Sequence, residues 1–289
     1  MVQKNDYEIG IAFIENKDYE RAIDFLSKFI AENPNNSEAY ENRAIAYYFI
    51  HEDKKALNDL DKAIEFDPKN ENAIYNRGLR YRDSKNYDKA LENFLLGYNL
   101  HNKNVSILEN IVHIYYKQKK YDLANKFCVE LLATNPDKEW GIRTYAGILQ
   151  NTKEYEGAIF QLEKILRYKP DDINLLNSIG YNYMKIGKLE ESELFYKTAI
   201  QYDNQFAYPL NNWGYLEFLR KNYDKALELI NNSIKIDPSN SYAFKNRAIV
   251  YLALGNKESA YQDLIHAKDL GYEEYWGEEV SDLLKKYFT

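Results

Sequence analysis

A period of 34 residues runs through most of the 289-residue chain and limits its fold more than any other feature. Five of the six prolines follow helical patterns at spacings of 34 residues or a multiple of 34: Pro34, Pro68, Pro136, Pro170 and Pro238. Proline ends a helix because it has no amide hydrogen and clashes with the preceding turn. The spacing predicts eight repeats without insertions, which cover residues 3–36, 37–70, 71–104, 105–138, 139–172, 173–206, 207–240 and 241–274.

Small and large residues recur at fixed positions of these repeats. Position 20 is small in every repeat, and position 11 is bulky except in repeat 7, where Glu217 stands. Position 8, nearly always small, holds Gly10, Ala44, Gly78, Val112, Ala146, Gly180, Gly214 and Ala248. Position 24, mostly large, holds Leu26, Leu60, Phe94, Cys128, Leu162, Tyr196, Ile230 and Leu264. Small side chains at fixed points let helices cross closely, so the pattern predicts a packed pair of helices in every repeat.

These columns resemble the tetratricopeptide repeat over residues 3–274. The resemblance implies an all-α fold: a right-handed superhelical solenoid of eight antiparallel helix pairs, with the first helix of each pair lining a concave groove. After the last repeat, Val280, Leu283, Leu284 and Tyr287 recur at the spacing of one helix face. Residues 275–289 are therefore predicted to form a capping helix that covers the last apolar surface.

The resemblance also implies that positions 2, 5, 6, 9 and 13 face a ligand. Position 6 holds asparagine in five repeats. A carboxamide both donates and accepts hydrogen bonds, so this row is expected to hold the backbone of an extended peptide, as in the similar asparagine ladder of O-GlcNAc transferases. Alternatively, asparagine is simply common at this position of the family. The predicted peptide-binding residues are Asn42, Asn76, Asn110, His113, Lys117, Trp140, Arg143, Ser178, Tyr181, Asn212, Tyr215 and Asn246.

Two groups within this set suggest a specific partner chemistry. His113, Lys117, Trp140 and Arg143 combine an aromatic ring with basic groups, which is typical of a binding hot spot for an acidic or aromatic segment. The same residues are also compatible with a solvated basic face. The tyrosines of repeats 6 to 8, including Tyr181 and Tyr215, either hold a more apolar stretch of the partner or seal adjacent first helices.

Composition excludes other classes of partner and compartment. The formal net charge of −7 and the pI of about 5.4 argue against binding to nucleic acid. No apolar run is long enough for a signal peptide or a membrane span. A single cysteine, Cys128, permits no internal disulfide and fits a reducing compartment, so we expect a cytoplasmic protein.

No catalytic or metal-binding constellation emerges from the sequence. The four histidines fall in different repeats and have no ligand partner four residues away. Cys128 occupies a bulky column and is expected to be a buried apolar residue. The family's carboxylate clamp for chaperone C-termini is predicted to be absent, because only Lys245 meets its first requirement and Ile249 stands where an asparagine is needed. We therefore predict a protein that is not an enzyme and needs no cofactor.

Three hypotheses for function follow. The first is an interaction scaffold or adaptor that binds an extended or helical segment of another protein in its groove. The alternative is a dedicated inhibitor or immunity-type protein that occludes a single enzyme or toxin. The third is weak self-association through repeat 1, whose first helix carries Ile9, Ile11, Phe13 and Ile14 with no capping helix before it.

Overall fold

The computed structural model describes residues 5–100 and 104–288, with side chains throughout except at positions 275 and 276. Residues 3 and 4 of repeat 1, 101–103 of repeat 3 and Thr289 of the predicted cap therefore lie outside the described residues. The described secondary structure is helical without strands. Its helices are α1 (Asp6–Glu15), α2 (Tyr19–Glu32), α3 (Ser37–Phe49), α4 (Asp53–Phe66), α5 (Glu71–Asp83), α6 (Tyr87–Leu100), α7 (Val105–Lys117), α8 (Tyr121–Thr134), α9 (Glu139–Asn151), α10 (Tyr155–Leu166), α11 (Ile173–Lys185), α12 (Leu189–Tyr202), α13 (Ala207–Leu219), α14 (Tyr223–Ile236), α15 (Ser241–Ala253), α16 (Lys257–Asp269), α17 (Tyr272–Trp276) and α18 (Glu279–Phe288).

The turns between paired helices repeat with the sequence period. Position 15 of every repeat has a positive φ angle, which ends the first helix in a left-handed residue. At Lys85, for example, the amide donates to the Arg82 carbonyl at 2.9 Å, and the next amide donates to Tyr81 at 2.8 Å. The residues at this position are Lys17, His51, Lys85, Lys119, Lys153, Gly187, Lys221 and Gly255.

The junctions between repeats are fixed by helix caps. At the last position of several repeats, an asparagine or aspartate side chain accepts a hydrogen bond from the first turn of the following helix. Asn70, for example, accepts from the Ala73 amide at 2.9 Å. These caps lie two residues after the proline position and satisfy amides that the helix itself leaves unpaired.

The small residues of position 8 allow the two helices of a pair to touch. A Cβ atom added to Gly10 would lie 2.7 Å from Leu26, and one added to Gly214 would lie 2.5 Å from Ile230. Gly78 meets Phe94 in the same way. The structure thus places a small residue of position 8 directly against a large side chain of position 24 in these repeats.

Arginine at position 7 ties three of the repeats to their neighbours. The Arg43 guanidinium donates to both carboxylate oxygens of Asp59 in its own repeat, at 2.7 and 2.9 Å, and to Ser27 in the preceding repeat at 2.9 Å. Two further sets have the same spacing: Arg77 with Asn93 and Asp61, and Arg247 with Asp263 and Asn231. One side chain thus bridges three helices.

The chain divides into two compact units, Met1–Gly141 and Ile142–Thr289. In the N-terminal unit, α1 to α8 form stacked helix pairs around buried residues such as Leu60, Phe94 and Ile111. Ile9, Ile11 and Phe13 of α1 are partly exposed, and self-association through them stays a prediction.

The C-terminal unit stacks the pairs from α11 to α16 and ends with the capping helix. Val280 of α18 is fully buried, and Leu283 and Leu284 pack against the core of repeat 8. The prediction of Tyr287 as a fourth packing residue is wrong, because its side chain is exposed. Phe288 packs there instead, with its ring centroid 5.2 Å from that of Tyr261.

Candidate functional site

Two asparagines at position 6 of the N-terminal unit use their amide hydrogens within the protein. Asn42 donates to the Glu38 carbonyl at 2.8 Å and to the Tyr7 hydroxyl of the preceding repeat at 3.2 Å. Asn110 donates in the same pattern to Ser106 and, at 3.4 Å, to Tyr75 of the preceding repeat. One amide hydrogen therefore bonds within the helix and the other to the preceding repeat, which leaves only the side-chain oxygen for other contacts.

Asn76 lies in a different environment, on an apolar cleft of about 240 Å³ between α3 and α5. Tyr48 and Phe49 form part of its wall, and the Arg80 guanidinium carbon lies 3.2 Å from the Tyr48 ring centroid. Asn76 is thus set among apolar side chains, apart from the amide bridges of the neighbouring repeats.

Two asparagines at position 6 of the C-terminal unit are buried. Asn246 is fully buried, and Asn212 is 7% exposed. Each donates at 3.0 Å to an asparagine of the preceding repeat, Asn211 or Asn177. Ser178 is partly buried, and its main-chain oxygen accepts a hydrogen bond from Asn182 at 2.8 Å. At Asn212 and Asn246 the amides again bridge consecutive first helices.

An open cleft of about 350 Å³ brings together three of the predicted residues, Asn110, His113 and Trp140. Arg82 and Glu109 complete its lining, and we call this set the Trp140 cleft. Its lining residues come from α5, α7 and the first turn of α9, and all five belong to the N-terminal unit. Trp140 is 36% exposed, which leaves part of its ring accessible for contact.

The electrostatics of the Trp140 cleft are set by neighbouring side chains. Burial lowers the pKa of His113, and the nearby positive charges of Lys117 and Arg82 lower it further, so the imidazole is neutral at pH 7. Arg82 donates to the Asn110 side-chain oxygen at 2.6 Å and to Asp83 at 2.7 Å. Asn110 consequently holds the guanidinium in place at the edge of the cleft.

Two of the predicted basic residues are not part of the Trp140 cleft. Lys117 is exposed and does not line it. Arg143 belongs to the C-terminal unit, where it donates to Asp172 at 2.5 Å. Burial opposes ionisation of Asp172, but hydrogen bonds from the Leu175 amide and from Arg143 outweigh it and lower the pKa. Arg143 thus supports the carboxylate that caps α11.

The predicted tyrosines of repeats 6 and 7, Tyr181 and Tyr215, are partly buried in the C-terminal unit. Lys245 of repeat 8 lies among aromatic rings, with its ammonium 5.7 Å from the Tyr215 centroid and 4.5 Å from that of Tyr242. Tyr272 is the third ring, at 5.8 Å. We call Tyr181, Tyr215, Tyr242, Lys245 and Tyr272 the Lys245 site.

Sequence reasoning missed several residues of both sites. Glu109 and Lys245 stand at position 5, one of the ligand-facing positions that the resemblance implies, so a signal for them was present. Arg82 stands at position 12, outside those positions, and only the structure reveals it. In the sequence, Lys245 stands out only as a residue of the chaperone clamp, which needs additional residues that this chain does not have.

The described residues were also compared with what a reactive thiol, a metal site or a membrane-spanning helix requires. Cys128 is fully buried, and burial raises the pKa of its thiol to about 12, as expected for an apolar core residue. In residues 5–100 and 104–288 no three His, Cys, Asp or Glu side chains converge on a possible metal position. None of the described helices combines the length and the hydrophobicity needed to span a bilayer.

Comparisons with known proteins point to one family. Two family models, both described as tetratricopeptide repeat, match residues 5–36 and 173–206. A crystal structure of a tetratricopeptide repeat protein from Parabacteroides merdae superposes with a TM-score of 0.72 at 20% identity. The match covers 88% of this chain and 99% of that one. It shows a shared fold.

Two curated relatives match parts of the sequence. Hsp70-Hsp90 organizing protein 3 of Arabidopsis thaliana is 27% identical over 88 residues, which are 30% of this chain and 16% of that protein. Protein O-mannosyl-transferase Tmtc3 of Drosophila melanogaster is 26% identical over 157 residues, which are 53% of this chain and 17% of that protein. The chain thus spans about a sixth of the length of these relatives.

Proposed function

Since the chain is a tetratricopeptide repeat protein, we propose that it is a non-enzymatic scaffold that binds a polypeptide segment of another protein along its first helices. One relative is named as an organizing protein of two others, which agrees with such a role. The other relative is named as a transferase, but the match covers only 17% of its length and gives no basis for a catalytic role here.

The Trp140 cleft is the observation that carries this proposal. It combines an exposed aromatic face, a neutral imidazole and a guanidinium held at its edge. Aromatic and arginine side chains in a partly desolvated cleft are the groups that dominate binding energies at protein interfaces. In this proposal Trp140 contacts an apolar or aromatic side chain of the partner. His113 hydrogen-bonds its backbone, and Arg82 attracts an acidic group.

Photo-crosslinking tests this proposal, because it captures a partner whose identity is still open. A benzoylphenylalanine placed at Lys117, beside the cleft, is expected to capture a polypeptide that mass spectrometry then identifies. The same group at Leu194, an exposed residue on the second helix of repeat 6, is the control. With the captured partner purified, Trp140→Ala is expected to weaken binding by about 2 kcal/mol, or roughly 30-fold, in calorimetry.

The roles of the other residues are tested with the same partner. His113→Ala and Arg82→Ala are expected to weaken binding by smaller factors, while Leu194→Ala leaves the affinity unchanged. If all three cleft variants bind like the wild type, or if Leu194→Ala alone abolishes binding, the Trp140 cleft is not the site. The inhibitor alternative stays a prediction, which a single tight partner at one-to-one stoichiometry would favour.

A further inference from the structure

The ammonium group of Lys245 is buried among aromatic rings. Its side chain is only 4% exposed, and the rings of Tyr215, Tyr242 and Tyr272 lie within 6 Å of it. Ring faces attract a cation, but a buried ammonium remains costly unless a negative charge lies beside it. Burial accordingly lowers the pKa of Lys245, in opposition to the nearby Glu279. The Lys245 site therefore requires a carboxylate.

Glu279, the first residue of the capping helix, supplies that carboxylate. Its Oε2 lies 3.2 Å from the Lys245 ammonium nitrogen and accepts a hydrogen bond of 2.9 Å from the Tyr272 hydroxyl. Among the described residues it is the one carboxylate paired with Lys245. The Glu279 side chain is nevertheless 52% exposed, so the carboxylate lies at the mouth of the site, in contact with solvent.

The charge of Glu279 also reaches the first helices of repeats 6 and 7. Burial raises the pKa of Tyr181, and the carboxylate of Glu279 raises it further. Burial also raises the pKa of Tyr215, Lys185 opposes that effect, and the carboxylate of Glu279 adds to it. Tyr181 and Tyr215 stand at positions that the sequence predicted to face a ligand. Glu279 thus lies near residues at two of the positions that the resemblance predicts to face a ligand.

We propose that the Lys245 site binds an acidic side chain of a polypeptide partner, and that Glu279 is an internal carboxylate which the partner replaces. This inference rests on the proposed scaffold function and adds the chemistry of the bound segment. An acidic segment keeps Lys245 paired after Glu279 leaves, whereas a neutral or basic segment leaves a buried charge without a partner. The site therefore selects for acidic partners.

The geometry allows this exchange without unfolding of the cap. Glu279 is at the first position of α18, and the helix is anchored further along by Val280, Leu283 and Leu284. Rotation of one half-exposed side chain is enough to open the site. Because Glu279 is tethered, its high effective concentration makes it a competitor of any partner carboxylate.

Fluorescence anisotropy with two labelled dodecapeptides tests the proposal. One peptide contains four glutamates and the other has glutamine at the same positions. Glu279→Gln removes the internal carboxylate and retains the side-chain shape, so it is expected to bind the glutamate peptide about tenfold more tightly than the wild type does. The glutamine peptide is expected to show no such gain.

Lysine variants assign the effect to the site. Lys245→Met in the Glu279→Gln background is expected to abolish the gain. Lys268→Met is the matched control, because Lys268 is exposed on α16 beside the same capping helix, and this variant is expected to retain the gain. The variant that combines Glu279→Gln with Lys245→Met removes both charges of the pair and is expected to fold, which circular dichroism checks. A gain that is absent in Glu279→Gln, or that survives Lys245→Met, overturns the proposal.

A second measurement does not depend on the folding of Lys245→Met. Carbodiimide coupling joins a carboxylate directly to a lysine with which it is paired. In Glu279→Gln, the glutamate peptide is expected to couple to Lys245, as located by mass spectrometry. Coupling at other lysines and never at Lys245 contradicts the proposal. Photo-crosslinking measures partner capture at the Trp140 cleft in a separate experiment. Failure of the Lys245 site and failure of the scaffold function can therefore be distinguished.

Discussion

Glu217 is a charged residue in a column that is otherwise bulky, and its surroundings explain the exception. It is 1% exposed, yet its carboxylate accepts hydrogen bonds from Trp213 at 3.1 Å, Asn222 at 2.8 Å and Arg220 at 3.0 Å. Burial opposes ionisation, but these donors and the nearby Lys225 outweigh it, so the pKa of Glu217 lies below its ordinary value. The carboxylate is therefore ionised in the folded protein at neutral pH.

Replacement of Glu217 is expected to reveal this ionisation as a pH-dependent loss of stability. A lowered pKa in the folded state stabilises the protein above the unfolded pKa of about 4.5, and the contribution is lost as the pH falls through the folded value. Glu217→Gln is expected to lower the free energy of unfolding by about 2 kcal/mol at pH 7, with a smaller difference below pH 4. Urea denaturation at both pH values measures this.

Glu190 provides the control for this prediction. It pairs with the same arginine, Arg220, but its side chain is 84% exposed. Glu190→Gln is therefore expected to leave the unfolding free energy nearly unchanged at both pH values. A Glu217→Gln difference of the same size at pH 7 and pH 3 would show that packing and not ionisation is responsible.

Single residues show where sequence reasoning reached its limit. The repeat columns identified Glu217 as a departure and placed Cys128 correctly in the core. They could not show that Asn42 and Asn110 donate their amide hydrogens to the preceding repeat, because the direction of a polar side chain depends on its neighbours in space. The same limit applies to Glu279, which lies outside the repeats and reaches its lysine only in the folded chain.

At the scale of helices and turns, position 15 has the same backbone geometry in every repeat. Its φ angle lies between 57° and 80° whether the residue is glycine, lysine or histidine. Left-handed backbone is strained for residues with a Cβ atom. The backbone is therefore strained at the six lysine and histidine residues of this position, whereas Gly187 and Gly255 adopt the same φ angle without that strain.

Replacement of Gly187 is expected to measure this strain directly. An added Cβ atom would meet no atom within 4 Å, so packing does not contribute. Gly187→Ala is expected to destabilise the protein by about 1 kcal/mol in thermal or urea unfolding. Lys153→Ala is the control and is expected to change stability by less than about 0.5 kcal/mol, since Lys153 already has φ 64°. Equal effects of the two substitutions would contradict the explanation by backbone strain.

The sequence located these turns only through the period. Lysine is not a signature of left-handed backbone, so the sequence did not predict the positive φ angle of position 15, which only the structure shows. The arginine bridges were harder to foresee, because only three of the repeats have arginine at position 7. Their acceptors at positions 23 and 25 differ in residue type between repeats.

For the molecule as a whole, the fold was predictable to a greater extent than the sites. Each repeat has the same packing pattern. An irregular residue in one repeat therefore does not obscure the pattern that the other seven repeats show. The sites have no such redundancy. The Trp140 cleft depends on Arg82, His113 and Trp140, each of which is a residue type that occurs in only one repeat at its position. The Lys245 site depends on a helix that follows the last repeat.

Packing between neighbouring helix pairs predicts which repeats lose stability when one core side chain is removed. In each unit a helix pair packs on the pairs before and after it, so the loss of one core side chain destabilises nearby repeats most. Leu264→Ala, at a fully buried position 24, is expected to cost about 3 kcal/mol and to accelerate hydrogen exchange in α14 to α18 while α1 to α6 keep their protection. Leu26→Ala, the equivalent change in repeat 1, is expected to give the reverse pattern. Loss of protection throughout the chain in both variants would instead indicate a single cooperative core.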